Sequence, residues 1–366
     1  MFQSKIFQRY FLPGFVFQSI IIAGGYGTGR ELVEFFLRYG PLGGLLGMLL
    51  IATVIMSVTA AASFEFARVF QTFNYRAFFV QLLGRAWFLY EVMYLVAVVL
   101  IMAVIGAAAG TIISEMFGLP EVTGMLGVLL AVGFLVFKGS NTIESMMAVW
   151  SLVLYATYAV FFAWSISRFG TEMASGFTTH APEPGWMLGG LKYGVLQVSL
   201  IPAVLFTVRH VETRREAVGA GLLAGVIAMV PALLFFLSMA GQYPQIVDRP
   251  VPANFMLEQL GSRAFQLTFQ VVLFGTLIET GAGLIHAFNQ RLASVLAETR
   301  RELPSFARPA IAAGLLVVGA LLSRFGIVAL VGRGYAALAW VFVFIYAVPV
   351  LTYGMWRVRT ARRACV

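Results

Sequence analysis

The chain has 366 residues, of which 60% are hydrophobic and 11% charged, with one cysteine and a formal net charge of +9. A soluble protein carries roughly 25% charged residues, so a globule of this composition would expose large apolar patches to water. An ordinary soluble enzyme is excluded, and the lone Cys365 excludes both an intramolecular disulfide and a thiolate metal cluster.

Backbone groups in hydrocarbon must be satisfied internally, which leaves helical bundles and closed barrels. The chain shows continuous apolar runs of about 20 residues, the length of a membrane helix, and not the alternation of a barrel. An all-α integral membrane protein of ten spans is expected. In chain order the spans are 11–37 with an interruption, 41–68, 87–114, 121–137, 142–167, 187–209 around Pro202, 216–240, 264–297, 307–323 and 327–357. Lys5 and Arg9 precede the first apolar stretch without a cleavage-like site, so no removable signal is expected. Residues 74–84 read as a short amphipathic helix at the cytoplasmic interface. The segments 169–186 and 241–262, rich in proline, read as extracytoplasmic connections. Arginine and lysine gather on the side of the termini, as in Arg68, Arg76, Arg85, Arg214, Arg215, Arg357 and Arg359. The positive-inside rule then places both termini in the cytoplasm. The surplus positive charge is a topology signal and a contact for anionic lipid, not a nucleic-acid footprint.

The first span carries Gly24, Gly25, Gly27 and Gly29 within six residues, around Tyr26 and Thr28. Each glycine costs about 1 kcal/mol against alanine in a helix, so unwinding is expected there, and backbone unwound at that depth must line a cavity or bind something. No strand precedes this stretch and no Gly-Lys-Ser/Thr follows, which rejects a phosphate-binding loop. In the sixth span, Ser199-Leu200-Ile201-Pro202 predicts a second break. Spans 1 and 6 open two five-helix halves, about 11–168 and 187–357, within a single transmembrane domain covering 1–366. Interrupted segments at matching positions of an inverted repeat point to a transporter binding site.

Ten spans with broken first and sixth members resemble the LeuT-type five-plus-five fold of the amino acid–polyamine–organocation superfamily. The Gly24-to-Glu34 segment and the stretch Glu279-Thr280-Gly281-Ala282-Gly283-Leu284-Ile285-His286 are similar to the YkvI-type bacterial membrane protein family. The resemblance implies secondary transport of a small solute, often an amino acid or amine, driven by Na⁺ or H⁺, in the bacterial cytoplasmic (inner) membrane. It also implies a sodium site completed near Ala23, Gly24, Glu279 and Thr280; Na⁺ is the one candidate cofactor.

Charged residues within spans are functional candidates by default. Glu279 and His286 share a face of span 8, flanked by Thr276 and Thr280, and are read as carrying the coupling ion or proton. Arg30, Glu31 and Glu34 open the second half of span 1 and are read as gate residues, Glu31 on the free N–H groups of the helix start and Arg30 with Glu34 as an i, i+4 pair. Gly24, Gly25, Tyr26, Gly27, Thr28, Gly29, Ser199, Pro202 and Phe206 are expected to line the substrate site, with Gln18, Ser19, Gln197 and Thr207 nearby. Tyr26 and Phe206 are expected to close over the solute or hold an ammonium by cation–π attraction. Glu65 and Glu91, near Arg68 and Arg85, read as structural ion-pair members. The expected activity is secondary active transport by alternating access, with the small solute and the bilayer as partners. An uncoupled facilitator or channel and a solute-binding membrane sensor remain open alternatives. Without an ATP-binding element or a nucleophile motif in context, no enzyme is expected.

Overall fold

The computed structural model describes residues 5–22, 24–138, 140–298 and 307–363, and among these no strand occurs. Five helices are long and apolar enough to cross a membrane: α3 (Pro41–Phe70), the run Tyr75–Phe117, α9 (Arg214–Ala240), the first part of α11 (Arg263–Glu298) and α13 (Ile327–Ala361). Within Tyr75–Phe117, α4 (Tyr75–Leu83) leads through one 3-10 turn into α5 (Phe88–Phe117). A sixth span results if α8 (Trp186–Val198) and the 3-10 segment Ile201–His210, which meet at 58°, are taken as one. These six coincide with six of the ten expected spans. The other four differ in kind. The first is split into α1 (Leu12–Ile21) and α2 (Arg30–Phe35). The helices α6 (Glu121–Lys138) and α12 (Ala307–Ser323) carry shorter apolar stretches. The last, α7 (Ser140–Thr179), is kinked at Phe169.

The structure adds detail to three of the expected connections. Residues 169–186 are not a simple connection, because α7 continues to Thr179. Phe169 and Met173 are buried and Phe177 packs against them, an i, i+4, i+8 stripe that holds the helix on the bundle despite Gly170 and Gly176. Residues 241–262 contain α10 (Pro252–Leu260), started by a proline in its first turn and ended by Gly261 at φ 74°. The segment 74–84 is helical, capped by the Asn74 side chain accepting from the Ala77 N–H at 2.8 Å. Its apolar face, however, rests on protein. Phe78, Phe79 and Leu82 are buried, with Phe79 stacked on Tyr90 at 3.8 Å.

The tightest helix pair is α3 against α9. A Cβ placed on Gly221 or Gly225 would collide with the backbone of Ala61 or with Ser57, so only glycine allows the two helices to approach this closely. A buried aromatic cluster of Tyr26, Tyr158, Phe161, Phe162, Phe235 and Phe269 packs α7, α9 and α11 around the split in the first span. Glu65 forms a two-pronged ion pair with Arg68, both bonds at 2.9 Å, as expected. Glu91 instead accepts from the Tyr75 hydroxyl at 3.2 Å.

Candidate functional site

The split between α1 and α2 is built by glycine chemistry. After Ile21 the chain turns at Ile22 (ψ 82°), makes one helical turn over Gly24–Gly27, and enters α2 through Gly29 at φ 78°. A left-handed residue at this position is accessible to glycine without strain. The freed backbone groups find partners. The Gly27 carbonyl accepts from the Tyr158 hydroxyl at 3.4 Å, and the Thr28 carbonyl accepts from the Ala253 N–H at 3.0 Å. The Arg30 N–H donates to Thr28 Oγ1 at 3.4 Å. Gly27 also lets α11 come close, since a Cβ there would stand 2.7 Å from Leu273 Cδ1 and would make that side chain shift. Tyr26 is fully buried, tilted against Phe235 at 6.4 Å, and its hydroxyl has no hydrogen-bond partner among the described residues.

The second break falls at Ser199–Leu200, just before Pro202, which occupies the first turn of the 3-10 segment. The Ser199 carbonyl accepts from the Tyr90 hydroxyl at 3.0 Å, and its own hydroxyl donates to the Leu196 carbonyl at 2.6 Å. Phe206 does not close over the site. A 3-10 helix repeats every three residues, which puts Ala203, Phe206 and Arg209 on one outward face, and Phe206 is 46% exposed.

The two breaks meet at a pair of side chains. Glu31 on α2 is 3% exposed and accepts a hydrogen bond from the Gln197 amide on α8 at 3.2 Å. The ion pairs among the described residues involve Glu34, Glu65, Glu212 and Glu216, and not Glu31. The expectation that Glu31 caps the start of its own helix is corrected. That helix has only six residues, its first N–H is taken by Thr28, and the carboxylate turns to α8.

The span 8 candidates lie along α11, which runs antiparallel past the split. Leu273 abuts Gly27, while Gln266 and Gln270 reach Asn254, the neighbour of the residue bonded to Thr28. Glu279 is six residues beyond Leu273, about 9 Å along the axis, on the side of the split where α1 ends. Glu279 and Thr280 are half-buried. Thr276 is buried with its hydroxyl on the Val272 carbonyl at 2.9 Å, and His286 is half-buried further along. Ala23 lies outside the described residues; of the expected sodium site, Gly24 belongs to the helical turn, and Glu279 and Thr280 share one stretch of α11. No cluster of three or more histidine, cysteine, aspartate or glutamate side chains that could hold a metal occurs among the described residues.

A charged ladder runs from the first residue of α2 to the 3-10 turn that follows it. Arg30 donates to Glu34 at 2.7 Å, as the i, i+4 spacing predicts, and to the carbonyls of Val247 and Arg249 at 2.9 and 3.0 Å. Arg38 pairs with the other oxygen of Glu34. A second network escapes sequence reading altogether. Asn254 donates to Glu115 at 2.8 Å and accepts from Gln266 at 2.9 Å and Gln270 at 3.2 Å, joining α5, α10 and α11.

No known family profile matches the chain. It is 24% identical over 291 residues to YkvI, an uncharacterized membrane protein of Bacillus subtilis (strain 168), covering 77% of this chain and 80% of that protein. The expected likeness to YkvI-type proteins is therefore present over most of the length. Among solved structures, a Na⁺-coupled sialic acid symporter in a substrate-bound outward-open state is similar at 12% identity and TM-score 0.49, over 94% of this chain and 84% of that one. A manganese transporter of Eremococcus coleocola is similar at 17% identity and TM-score 0.48, over 95% and 86%. Together with its long apolar helices, the similarity to a membrane protein makes the chain a multi-pass membrane protein.

Proposed function

We propose that the chain is a secondary active transporter of a small polar solute, an amino acid or amine, working by alternating access. The observation that carries this reading is the Glu31–Gln197 contact, which joins the two interrupted helices at their breaks. Taking an ionised carboxylate out of water costs several kcal/mol even after relaxation. One hydrogen bond to a charged group returns about 1.5–3 kcal/mol. The remaining deficit is met by a cation at Glu31: the ammonium of the solute, a Na⁺ ion or a proton. The buried hydroxyl of Tyr26 supplies a further polar contact at the first break. Glu279, with Thr280 beside it, is the second carboxylate along the path and the candidate carrier of the coupling ion.

In this reading the spans form two inverted five-helix halves with both termini in the cytoplasm of a bacterial inner membrane, an orientation supported by the arginine and lysine distribution. The test is uptake and counterflow of labelled amino acids and amines in proteoliposomes under an imposed Na⁺ or pH gradient. A carrier shows trans-stimulation, which an open pore does not. Glu31→Gln keeps the shape and the contact with Gln197 but removes the charge, so it folds and loses concentrative uptake. A Glu31→Gln protein that concentrates solute as the parent does would sink the assignment.

A further inference from the structure

The charged ladder Arg30–Glu34–Arg38 forms one wall of an open cleft of about 600 Å³. Arg30, Glu34 and Arg38 line it on one side, Val247 and Asp248 on another, and the opposite wall is the start of α13, including Gly332 and Arg333. That wall is wound as a π-helix over Leu330–Tyr335, a winding frequent at functional sites. Gly332 leaves the space open, since a Cβ there would stand 3.0 Å from Glu34 Oε1. The cleft holds three guanidinium groups against two carboxylates, a surplus of one positive charge. Glu34 is already shared between Arg30 and Arg38. Arg333 is exposed and takes no part in the ion pairs found among the described residues. Arg30 is 3% exposed, and its buried Nε has no partner among the described residues.

We infer that this cleft is a docking site for the carboxylate group of the transported solute, so that the solute is a carboxylate or zwitterion and not a simple amine. Arginine presents a planar fork that matches a carboxylate, and Arg333, exposed and outside the ion pairs found among the described residues, faces the open space with the least competition from protein acceptors. A surplus positive charge at a cleft mouth also concentrates anions and repels cations there. The cleft begins at Arg30, the first residue of α2, and so stands at the end of the break in the first span. This deepens the transporter reading and rests on it.

Three four-carbon probes separate the possibilities: butanoate, 4-aminobutanoate and 1,4-diaminobutane, titrated into the purified full-length protein with thermal unfolding as readout. Butanoate and 4-aminobutanoate are expected to raise the unfolding temperature at millimolar concentration, with an effect that shrinks as salt rises, and the diamine to leave it unchanged. Arg333→Gln is expected to raise the half-saturating butanoate concentration about tenfold, the value of one charge-assisted contact. Arg333→Lys is expected to recover part of the loss. Because Arg333 is exposed, these variants fold as the parent does, and Arg333→Glu is expected to turn the preference toward the diamine. A diamine shift equal to that of butanoate, an unaltered butanoate titration in Arg333→Gln, or no shift by any probe up to tens of millimolar overturns the inference. The transporter reading fails separately, through absence of gradient-driven uptake in proteoliposomes whichever probe binds.

Discussion

Gly29 offers a sharp test of how the first span is broken. It sits at φ 78° and ψ −5°, and a Cβ there would meet Met239 Sδ at 3.1 Å, Phe235 Cζ at 3.2 Å and Pro252 Cβ at 3.3 Å. Gly261 ends α10 in nearly the same conformation, φ 74° and ψ 11°, with nothing within 4 Å of a Cβ. Replacing either glycine by alanine forces a left-handed L-residue, which costs about 1–2 kcal/mol. Only Gly29→Ala adds crowding, at about 1–3 kcal/mol for an overpacked interior. The expected loss is therefore about 1–2 kcal/mol for Gly261→Ala and about 2–5 kcal/mol for Gly29→Ala. Equilibrium unfolding in mixed micelles with increasing denaturing detergent, followed by tryptophan fluorescence, reads both. Equal destabilisation of the two variants would refute the claim that α2 enters the bundle against a packed wall formed by α9 and α10.

Two further substitutions probe the polar groups around the split. Tyr26→Phe removes a hydroxyl that has no partner among the described residues, so stability is expected to hold or to rise by up to about 1–3 kcal/mol, the penalty of an unpaired buried group. A clear loss of stability would mean that the hydroxyl is satisfied within the protein. Asn254→Ala strands the amides of the buried Gln266 and Gln270, and should destabilise by about 2 kcal/mol or more in the same detergent titration. A change under 1 kcal/mol, within the range of an ordinary surface substitution, would show that water replaces the asparagine at no great cost.

Much of the architecture was legible because its signals are local. Contiguous glycines gave away the first break, a proline the second, and the Arg30–Glu34 pair followed from four-residue spacing. The proline break lies just ahead of Pro202, at Ser199–Leu200, since proline restricts the residue before it and suits the first turn of a new helix. What was not legible depends on distance or on helix type. Glu31 and Gln197 are 166 residues apart in sequence and meet only because both broken helices are packed together. Asn254 collects partners from three helices, and no periodicity announces that. Phe206 was assigned to the site by its nearness to Pro202 alone, and nearness in sequence does not show which face of a 3-10 segment a residue occupies. The extension of α7 was readable in Phe169, Met173 and Phe177, but two glycines and the polar residues between them obscured it.

The 3-10 winding of Ile201–His210 has a mechanical consequence. Runs of this helix longer than three or four residues are uncommon, and this one has ten. At about 2.0 Å per residue it is some 20 Å long, whereas the same residues wound as an α-helix would measure about 15 Å. The segment thus holds about 5 Å of extra length between two fixed ends. At one end Tyr90 grips the Ser199 carbonyl; at the other, Arg9 binds Glu216, which closes the capping box on Thr213. Any rewinding toward α-helix must draw those ends together, pulling the start of α1 toward α8, or else release one of the two grips.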